Sequence, residues 1–299
     1  MPCHRRPSPL FAILSLVSTL TGAAEQVPDQ PKPIRALTFN IRYDNPADGE
    51  NGWKHRRDGV AKLIQEQKVD VAGLQEVVVN QLDDLRERLP EYEFLGVGRD
   101  DGQRKGEFSP LLVRKEAFDV VSSGTFWLSP TPDRPGSKGW DAALPRICTW
   151  AQLRSRQGGR GDILAASTHF DHRGVEARRQ SAKVIRKQLA DLQSTNKVSG
   201  GIIVMGDFNC TAKDAPYAAL VEMDKEGEEL PVWIDAYQCK DVVRAGPDST
   251  WNGFTAIVPG QRIDFIFFHG LTAQRHEVID ARVGERFLSD HLPVLAIIR

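Results

Sequence analysis

Residues 202–209 read Ile-Ile-Val-Met-Gly-Asp-Phe-Asn. Four apolar residues in a row predict a short strand that is buried on both faces. We expect Gly206 to let the chain turn tightly at the end of this strand. Asp207 and Asn209 follow two residues apart, and a carboxylate with a carboxamide suits a hard cation or an attacking water. Taken alone, Gly-Asp-x-Asn is more typical of an ordinary loop, so the neighbouring motifs decide its meaning.

The segments on either side predict a mixed α/β protein. Apolar residues at helical spacing predict helices near residues 60–67, 78–89, 175–192 and 215–222. Short apolar runs separated by Gly, Pro and charged loops predict strands. These strands are residues 34–40, 69–74, 92–97, 111–113, 120–121, 125–128, 147–153, 163–168, 263–268, 278–283 and 292–298. No tandem repeat and no long interior linker divides the chain, so the pattern predicts one layered sandwich with sheets inside and helices outside.

The N-terminus predicts export. Arg5 and Arg6 precede an apolar run over residues 10–20, and small residues follow at 22–24. This order is typical of a cleaved secretory signal, and the run is too short to span a bilayer. We therefore predict a signal peptide at 1–24, a proline-rich linker at 25–33 and one domain at 34–299, in a secreted or periplasmic protein without stable membrane insertion of the mature chain.

The composition excludes a strong general attraction to polyanions. The 299 residues are 40% hydrophobic and 26% charged, with a formal net charge of −1. Removing the signal removes two Arg and no acid, which leaves a net charge of about −3. Any polyanion must then be bound by a local patch. Three cysteines remain, at 148, 210 and 239. The sequence allows one disulfide among them, although Cys148 fits a buried core position better.

Nearly every predicted strand ends in a side chain that can bind metal or phosphate. Single strand ends of this kind are commonly capped or hydrogen-bonded loops, but six in one chain indicate a common site at one rim of a sheet. The strand-end motifs are Phe39-Asn40, Gln75-Glu76, Thr168-His169, Gly206-Asp207-Phe208-Asn209, Ile263-Asp264 and Ser289-Asp290-His291.

This ordered set resembles the endonuclease/exonuclease/phosphatase superfamily, over residues 34–298. The resemblance implies a four-layer α/β/β/α sandwich of two mixed sheets flanked by helices. Gly-Glu-Phe-Ser-Pro at 106–110 and Ala-Leu-Pro-Arg at 143–146 are most similar to secreted bacterial members related to the carbon-catabolite-repressor deadenylases. The superfamily hydrolyses phosphoesters with Mg²⁺ or Mn²⁺, cations that favour oxygen ligands.

The resemblance also implies a role for each motif residue. Glu76 is expected as the principal metal carboxylate, with Asn40 beside it and Asp290 at a second or shared metal position. Asp207 is expected to activate the attacking water, and Asn209 to hold that water or a phosphate oxygen. His169 and His291 are expected to donate to the phosphoryl oxygens as imidazolium ions, held by carboxylates. These expected carboxylate partners are Asp264 for His291 and Glu107 for His169, and Arg146 is expected to bind the phosphate.

The sequence also departs from two branches of the superfamily. Lys105 stands where the DNase and exonuclease branches keep a tyrosine, and no apolar hairpin of the sphingomyelinase kind is present. Residues 53–57 and 104–105 are interpreted either as basic rims of the cleft or as solvated loops. Trp140, Trp251 and Phe254 could stack on a base or sugar, but such residues also serve as core.

These observations favour a secreted Mg²⁺-dependent nuclease or phosphodiesterase of the 3′–5′ exonuclease style, with a phosphoester and in particular nucleic acid as its substrate. The alternative is a phosphatase for a small phosphorylated sugar, inositol or lipid headgroup. A catalytically silent binding domain is disfavoured, because every matched metal and water ligand is present. The sequence supports no inference about a protein partner.

Overall fold

A computed structural model describes residues 1–4, 31–222 and 230–299 of the chain. The structure below belongs to the compact unit Pro31–Arg299. The predicted signal peptide (1–24) and linker (25–33) lie outside the described residues, except for residues 1–4 and 31–33. Of the helices that the structure describes, none combines the length and the apolar character that a bilayer crossing requires.

Four α-helices and fifteen strands make up the described residues. The helices are α1 Arg57–Glu66, α2 Val79–Arg88, α3 Val175–Thr195 and α4 Ala215–Val221. The longer strands are β1 Ile34–Asn40, β2 Val71–Gln75, β3 Tyr92–Leu95, β4 Leu111–Arg114, β5 Phe118–Trp127, β6 Ile147–Ser155, β7 Ile163–His169 and β8 Ile202–Asp207, then β11 Asp264–His269, β12 Ala273–Val278 and β15 Val294–Ile298. The short strands are β9 Ile234–Asp235, β10 Val243–Ala245, β13 Arg282–Val283 and β14 Arg286–Phe287.

The strands form two large mixed sheets and one small hairpin. The first sheet has seven strands in the order β10-β12-β15-β1-β2-β4-β3, and the second has six in the order β5-β6-β7-β8-β11-β9. β1 pairs parallel with β2, and β7 pairs parallel with β8, while most other neighbours are antiparallel. Each of these two parallel pairs is joined through a helix, as parallel strands require.

Three apolar clusters separate the four layers. One cluster lies between the two sheets and includes Ala36, Ile203 and Ile266. A second packs α1 and α2 on the first sheet, and a third packs α3 and α4 on the second sheet. The predicted α/β/β/α sandwich is therefore confirmed.

The face of each strand that looks into the gap between the sheets changes from apolar to polar along its length. In β1 this face carries Ile34 and Ala36 and ends at Asn40; in β8 it carries Ile203 and ends at Asp207. Successive side chains of a strand alternate between faces, so the terminal polar residue must point into the same gap. The polar ends of the central strands thus meet at one end of the inter-sheet space.

Several predicted boundaries are wrong. Residues 120–121 and 125–127 belong to one strand, β5, whose pairing with β6 is interrupted by a bulge between Val120 and Ser122. The strand predicted at 278–283 lies earlier, as β12, and only Arg282–Val283 forms a separate short strand. Cys148, Cys210 and Cys239 are free and buried.

Candidate active site

Strand register brings three predicted site residues into one row. His169 on β7 is the direct partner of Asp207 on β8, and Asp207 is in turn the partner of Asp264 on β11. Neighbouring strands lie roughly 4.8 Å apart, so these side chains must interact if they face the same way. All three are buried at the polar end of the inter-sheet gap.

The backbone at two strand ends takes conformations that only tertiary contacts explain. Glu76 and Asn209 have φ of 61° and 48°, in the left-handed region that non-glycine residues rarely adopt. Gly206 was expected at a turn, but it lies inside β8. Glycine is required there because a Cβ would lie 2.5 Å from the Thr168 carbonyl oxygen. Glycine is needed for close strand approach, and the chain turns at Asn209 instead.

Asn40 connects the two sheets through its side-chain amide. Its Nδ2 donates to Glu76 Oε1 and to Asp207 Oδ2, each at 3.0 Å, and lies 3.4 Å from His291 Nε2. The second oxygen of Glu76, Oε2, accepts from the Tyr43 N–H at 3.1 Å. One fully buried amide therefore fixes the positions of two carboxylates that belong to different sheets.

His291 is held between two carboxylates. Its Nδ1 lies 2.8 Å from Asp264 Oδ2, and its Nε2 lies 3.7 Å from Asp207 Oδ2. Burial by itself lowers the pKa of His291, but the attraction of Asp264 and Asp207 outweighs it, so the pKa lies well above its usual value. This geometry matches the expected Asp264–His291 pair and keeps the ring charged. Trp251 packs edge-on against the ring, with centroids 4.8 Å apart.

Asp207 has an environment suited to proton transfer near neutral pH. Burial raises the pKa of its carboxyl to about 7, and repulsion from Asp264 acts in the same direction. Its Oδ1 accepts the Asn209 N–H at 2.9 Å. A carboxylate with a pKa near the working pH can accept a proton and release it readily.

The expected pairing of Glu107 with His169 is wrong. Glu107 Oε2 accepts from Arg99 Nη1 at 2.7 Å and lies 4.0 Å from Arg146 Nη1. His169 Nε2 lies instead 2.9 Å from the Asn209 amide Nδ2 and 3.4 Å from Asp207 Oδ2. Asn209 Nδ2 also donates to Phe170 O, so the amide orientation is fixed and Nε2 of His169 accepts from it.

His169 is consequently neutral, against the expectation of an imidazolium. Burial lowers the pKa of His169 well below its usual value, and the positive charges of Arg146 and Arg99 lower it further. Its Nδ1 is buried and has no hydrogen-bond partner among the residues that the structure describes. A single buried N–H donor is therefore available on this ring.

Arg146 lines the cavity and has N–H donors without hydrogen-bond partners among the described residues. Its guanidinium is buried, and its Nη2 donates to His172 Nδ1 at 3.2 Å. Nε and Nη1 have no hydrogen-bond partner within the described ranges, although Asp171 and Glu107 lie 3.7 and 4.0 Å away. Buried unsatisfied donors cost stability, so their presence indicates a place for an anionic ligand.

Two basic residues of the cavity, Arg42 and His172, are absent from the predicted set. His172 follows His169 closely, and this spacing after a strand end is the one signal that could have pointed to it. Asp171, between them, accepts four backbone N–H groups, from residues 143, 144, 173 and 174. Burial would raise the pKa of Asp171, yet these four bonds together bring it down to about 2. Nothing in the local sequence indicated Arg42.

Two groups of residues could hold a cation. Asp207, Asp264 and His291 offer ligand atoms within 4.8 Å of one another. The charged His291 ring already offsets the negative charge of the two aspartates. This group is therefore better suited to orienting an imidazolium than to binding a cation. Glu76 and Asp290 line the cavity, and burial raises the pKa of Asp290, with Glu76 adding repulsion. These carboxylate oxygens fit a hard divalent cation, which would relieve the crowded negative charge. Asn40, expected beside the metal, turns its amide nitrogen toward Glu76, and its oxygen accepts the Arg42 N–H, so it positions Glu76 and offers no ligand atom there.

The cavity has a volume of about 540 Å³ and collects the predicted residues of both sheets. Its walls include Glu76, His169, Asp207, Asn209, Asp290 and His291, together with Glu107 and Arg146. Trp251 also lines it, whereas Trp140 is exposed and Phe254 packs against Arg56. Asp264 lies behind His291 and is fully buried.

The arginines of the proposed basic rims are engaged elsewhere. Arg56 is buried and donates to the carbonyls of residues 41, 51 and 288. Arg57 pairs with Asp84 at 3.1 Å, and Arg104 pairs with Asp83 at 2.7 Å. Arg57 and Arg104 are thus paired with carboxylates and Arg56 is buried, so these three arginines do not form a free basic track.

Solved structures share this architecture. An endonuclease/exonuclease/phosphatase from Bacteroides vulgatus is 41% identical, with a TM-score of 0.80 over 90% of this chain and 99% of its own. A mannosyl-6-phosphatase from Bacteroides thetaiotaomicron is 34% identical, with a TM-score of 0.80 over 89% of this chain and 99% of its own. The catalytic domain of human nocturnin, solved with bound sulfate, is 20% identical, with a TM-score of 0.67 over 91% and 95%, and shows the fold alone. No curated protein sequence matches the chain.

The sequence profile of one family covers nearly all of the sandwich except β15. It matches residues 37–291, from the first strand of the inter-sheet gap to His291. The match spans both sheets and every strand end that contributes to the cavity. The chain belongs to the Endonuclease/Exonuclease/phosphatase family.

Proposed function

We propose that the protein is a divalent-metal-dependent phosphomonoesterase for a small phosphorylated sugar. Members of this family hydrolyse phosphoesters, and the proposal narrows that activity to one substrate class. The observation that supports this narrower activity is the distribution of arginine donors. Arg146 has unpaired donors inside the cavity, whereas Arg57 and Arg104 on the rim are already paired with carboxylates. Such a site binds one phosphate group rather than a run of phosphates.

The cavity and one relative support the same substrate class. A space of about 540 Å³ suits a hexose phosphate and falls within the range of small-molecule sites. Trp251 offers an apolar wall beside the charged His291. One relative, 34% identical, is named as a mannosyl-6-phosphatase, and that name denotes a phosphorylated sugar as its substrate. We therefore favour the phosphatase alternative over the nuclease activity preferred from the sequence.

The roles follow from the contacts. Glu76 and Asp290 would hold Mg²⁺ or Mn²⁺, which when bound offsets the negative charge of the phosphoryl group, and Asn40 positions Glu76 through its amide N–H. Asp207, positioned by Asn40 and by the Asn209 N–H, holds the attacking water and takes its proton.

The charge that builds on the phosphoryl oxygens is met by fixed donors. His291, kept charged by Asp264, donates one hydrogen bond, and Arg146 donates up to two from nitrogens that are otherwise unpaired. Asn209 holds His169 in its neutral form and places that ring beside Asp207. Glu107 acts through Arg146 and Arg99 instead of through a histidine.

A substrate panel tests this proposal. Purified protein with Mg²⁺ or Mn²⁺ is assayed against mannose 6-phosphate and other hexose phosphates, inositol phosphates, single-stranded RNA, duplex DNA and sphingomyelin. The Asp207→Asn protein, prepared in parallel, measures contaminating phosphatases. We expect the highest kcat/KM for a hexose phosphate and none in excess EDTA. A higher kcat/KM for RNA or DNA would return the nuclease interpretation, and full turnover in EDTA would end the metal assignment.

We also propose that residues 1–24 are removed on export, because two arginines, an apolar run and small residues follow one another there. N-terminal sequencing of the exported protein is expected to begin near Glu25. Recovery of a cytoplasmic product that retains Met1 would contradict this.

A further inference from the structure

Arg42 is fixed by contacts along its whole length. Its backbone has φ of 57°, in the left-handed region. Its N–H donates to Asn40 Oδ1 at 3.0 Å, and its carbonyl accepts from Gln81 Nε2 at 2.8 Å. The unfavourable conformation is thus imposed by buried neighbours, which aim the side chain into the cavity.

The guanidinium of Arg42 is anchored on one side and open on the other. Its Nε and Nη2 donate to the two oxygens of Asp48 at 3.0 and 3.2 Å, and Asn45 in turn donates to Asp48 at 3.0 Å. The guanidinium also lies 4.5 Å from the ring centre of Tyr43. This paired bonding holds the group in one plane and leaves Nη1 free to face other partners.

The free nitrogen lies between the two proposed metal carboxylates. Nη1 is 4.0 Å from Glu76 Oε2 and 3.8 Å from Asp290 Oδ2. Both distances are too long for hydrogen bonds and short enough for strong charge attraction. Arg42 therefore neutralises both carboxylates without binding tightly to either, and its charge lies where it would repel a second cation.

We propose that Arg42 is a resident counter-cation which sets the affinity of Glu76 and Asp290 for the divalent metal, with Asp48 as the residue that positions it. The proposal rests on the metal assignment made under the proposed function. Arg42 offsets the negative charge of the site when no metal is bound, and it weakens metal binding because two cations must share one carboxylate pair. Asp48 limits this effect, since it holds the guanidinium back and offsets its charge.

Mn²⁺ titration of chelator-treated protein, by calorimetry and by electron paramagnetic resonance of free Mn²⁺, tests the sign of this effect. Arg42→Gln should bind Mn²⁺ about tenfold more tightly than the wild type, on the order expected for one lost charge at this distance. Asp48→Asn should bind it several-fold more weakly. Arg57→Gln is the matched control: it loses the same charge nearby, at a side chain that pairs with Asp84 outside the cavity, and should stay within about twofold.

Thermal unfolding supplies a second readout that does not depend on activity. Without Arg42 the two carboxylates repel each other, so Arg42→Gln should have a lower Tm in EDTA and a larger gain in Tm on adding Mn²⁺. Unchanged or weaker Mn²⁺ binding by folded Arg42→Gln would overturn the proposal. If that variant does not fold, unchanged or tighter binding by Asp48→Asn would overturn it. A wild type that binds no Mn²⁺ at all would instead remove the metal assignment beneath it.

Discussion

Asp70 and Asp207 lie at opposite ends of two central strands, one just before β2 and the other at the end of β8, and both are buried. Asp70 precedes β2, where its Oδ2 accepts the Arg35 N–H at 2.9 Å and its Oδ1 accepts from the guanidinium of Arg114. Asp207 ends β8, where it shares a crowded space with Asp264 and two histidines. One carboxylate has partners of opposite charge in good geometry, and the other is held beside a like charge.

The same contrast extends to the surroundings. A cavity of about 330 Å³ opens near Asp70 and is lined by Arg35, Arg114 and Arg160, of which Arg35 donates to Gln67 and Arg160 to Lys32. At the Asp207 end, buried atoms of Arg146, His169 and Asp264 have no partner within the described part of the chain. Proteins tolerate such unsatisfied groups mainly where function requires them. We therefore expect the contacts of Asp70 to stabilise the fold, and the unsatisfied groups near Asp207 to take part in the proposed reaction.

The largest effect is expected from Asp207→Asn. The amide keeps the size and most hydrogen bonds but cannot take a proton, so kcat should fall by roughly a hundredfold or more with little change in KM. His291→Ala should have an effect of similar size, because it removes a donor needed mainly in the transition state. Steady-state kinetics on folded proteins measures both. Near-normal kcat in both variants would refute the catalytic assignment.

Stability should respond to Asp207→Asn in the opposite direction. The folded-state pKa of Asp207 is about 7, above its usual 3.8, so ionising it costs folding free energy. The stability that the neutral carboxyl contributes is complete below pH 4 and is lost as the pH rises toward 7. Urea unfolding in EDTA should therefore show that Asp207→Asn is at least as stable as the wild type at pH 8, with the gain absent at pH 4.

Asp70→Asn is the matched substitution at the other end of the strands. It tests whether Asp70 contributes to stability alone. It replaces a charged acceptor of Arg114 and Arg35 by a neutral one, which should lower the free energy of unfolding by about 2 kcal/mol. Urea unfolding measures this loss. The kcat should stay within about twofold of the wild type, since no substrate contact changes; a tenfold fall would show that the two ends are coupled.

Asp264→Asn sharpens the role of the carboxylate behind His291. The raised pKa of His291 depends on Asp264, so the neutral variant should lower that pKa. Activity that requires charged His291 is lost as the pH rises through this pKa. The basic limb of the pH–rate profile should therefore move to lower pH, with kcat about tenfold lower near neutral pH. An unchanged profile with a lower kcat would indicate a merely structural role.

The difference between the two ends also explains what the sequence could predict. Asn40, Asp207 and Asp264 were predictable, because strands of period two that end in polar residues direct those residues to one rim. The mixed layered sandwich followed from the strand and helix patterns, and its four-layer form followed from the family resemblance. The strand pattern failed at β5, where the bulge between Val120 and Ser122 resets the alternation and splits one strand into two apparent ones.

Residues whose roles depend on distant partners were not predictable. Arg42 acts through Glu76 and Asp290, which are far from it in sequence, and its own neighbours give no pattern. Glu107 was assigned to the wrong partner for a different reason, because the pairing with His169 came from the family resemblance and not from its own neighbours. Its carboxylate reaches Arg99 within its own loop, while the neighbour of His169 comes from the turn after β8.

Glu107→Gln should have the smallest effect and decides between the two partners. Burial raises the pKa of Glu107 and Glu76 adds to that rise, while the charges of Arg99 and Arg146 oppose it. A neutral amide at this position would loosen Arg146, the residue with unpaired donors in the cavity, and should raise KM about threefold with kcat nearly unchanged. If Glu107 instead supported a charged His169, kcat would fall and the pH–rate profile would shift. Steady-state kinetics from pH 5 to pH 9 separates these results. Arg99→Gln, which breaks the 2.7 Å bond to the same carboxylate, should reproduce the rise in KM and leave the pH dependence intact.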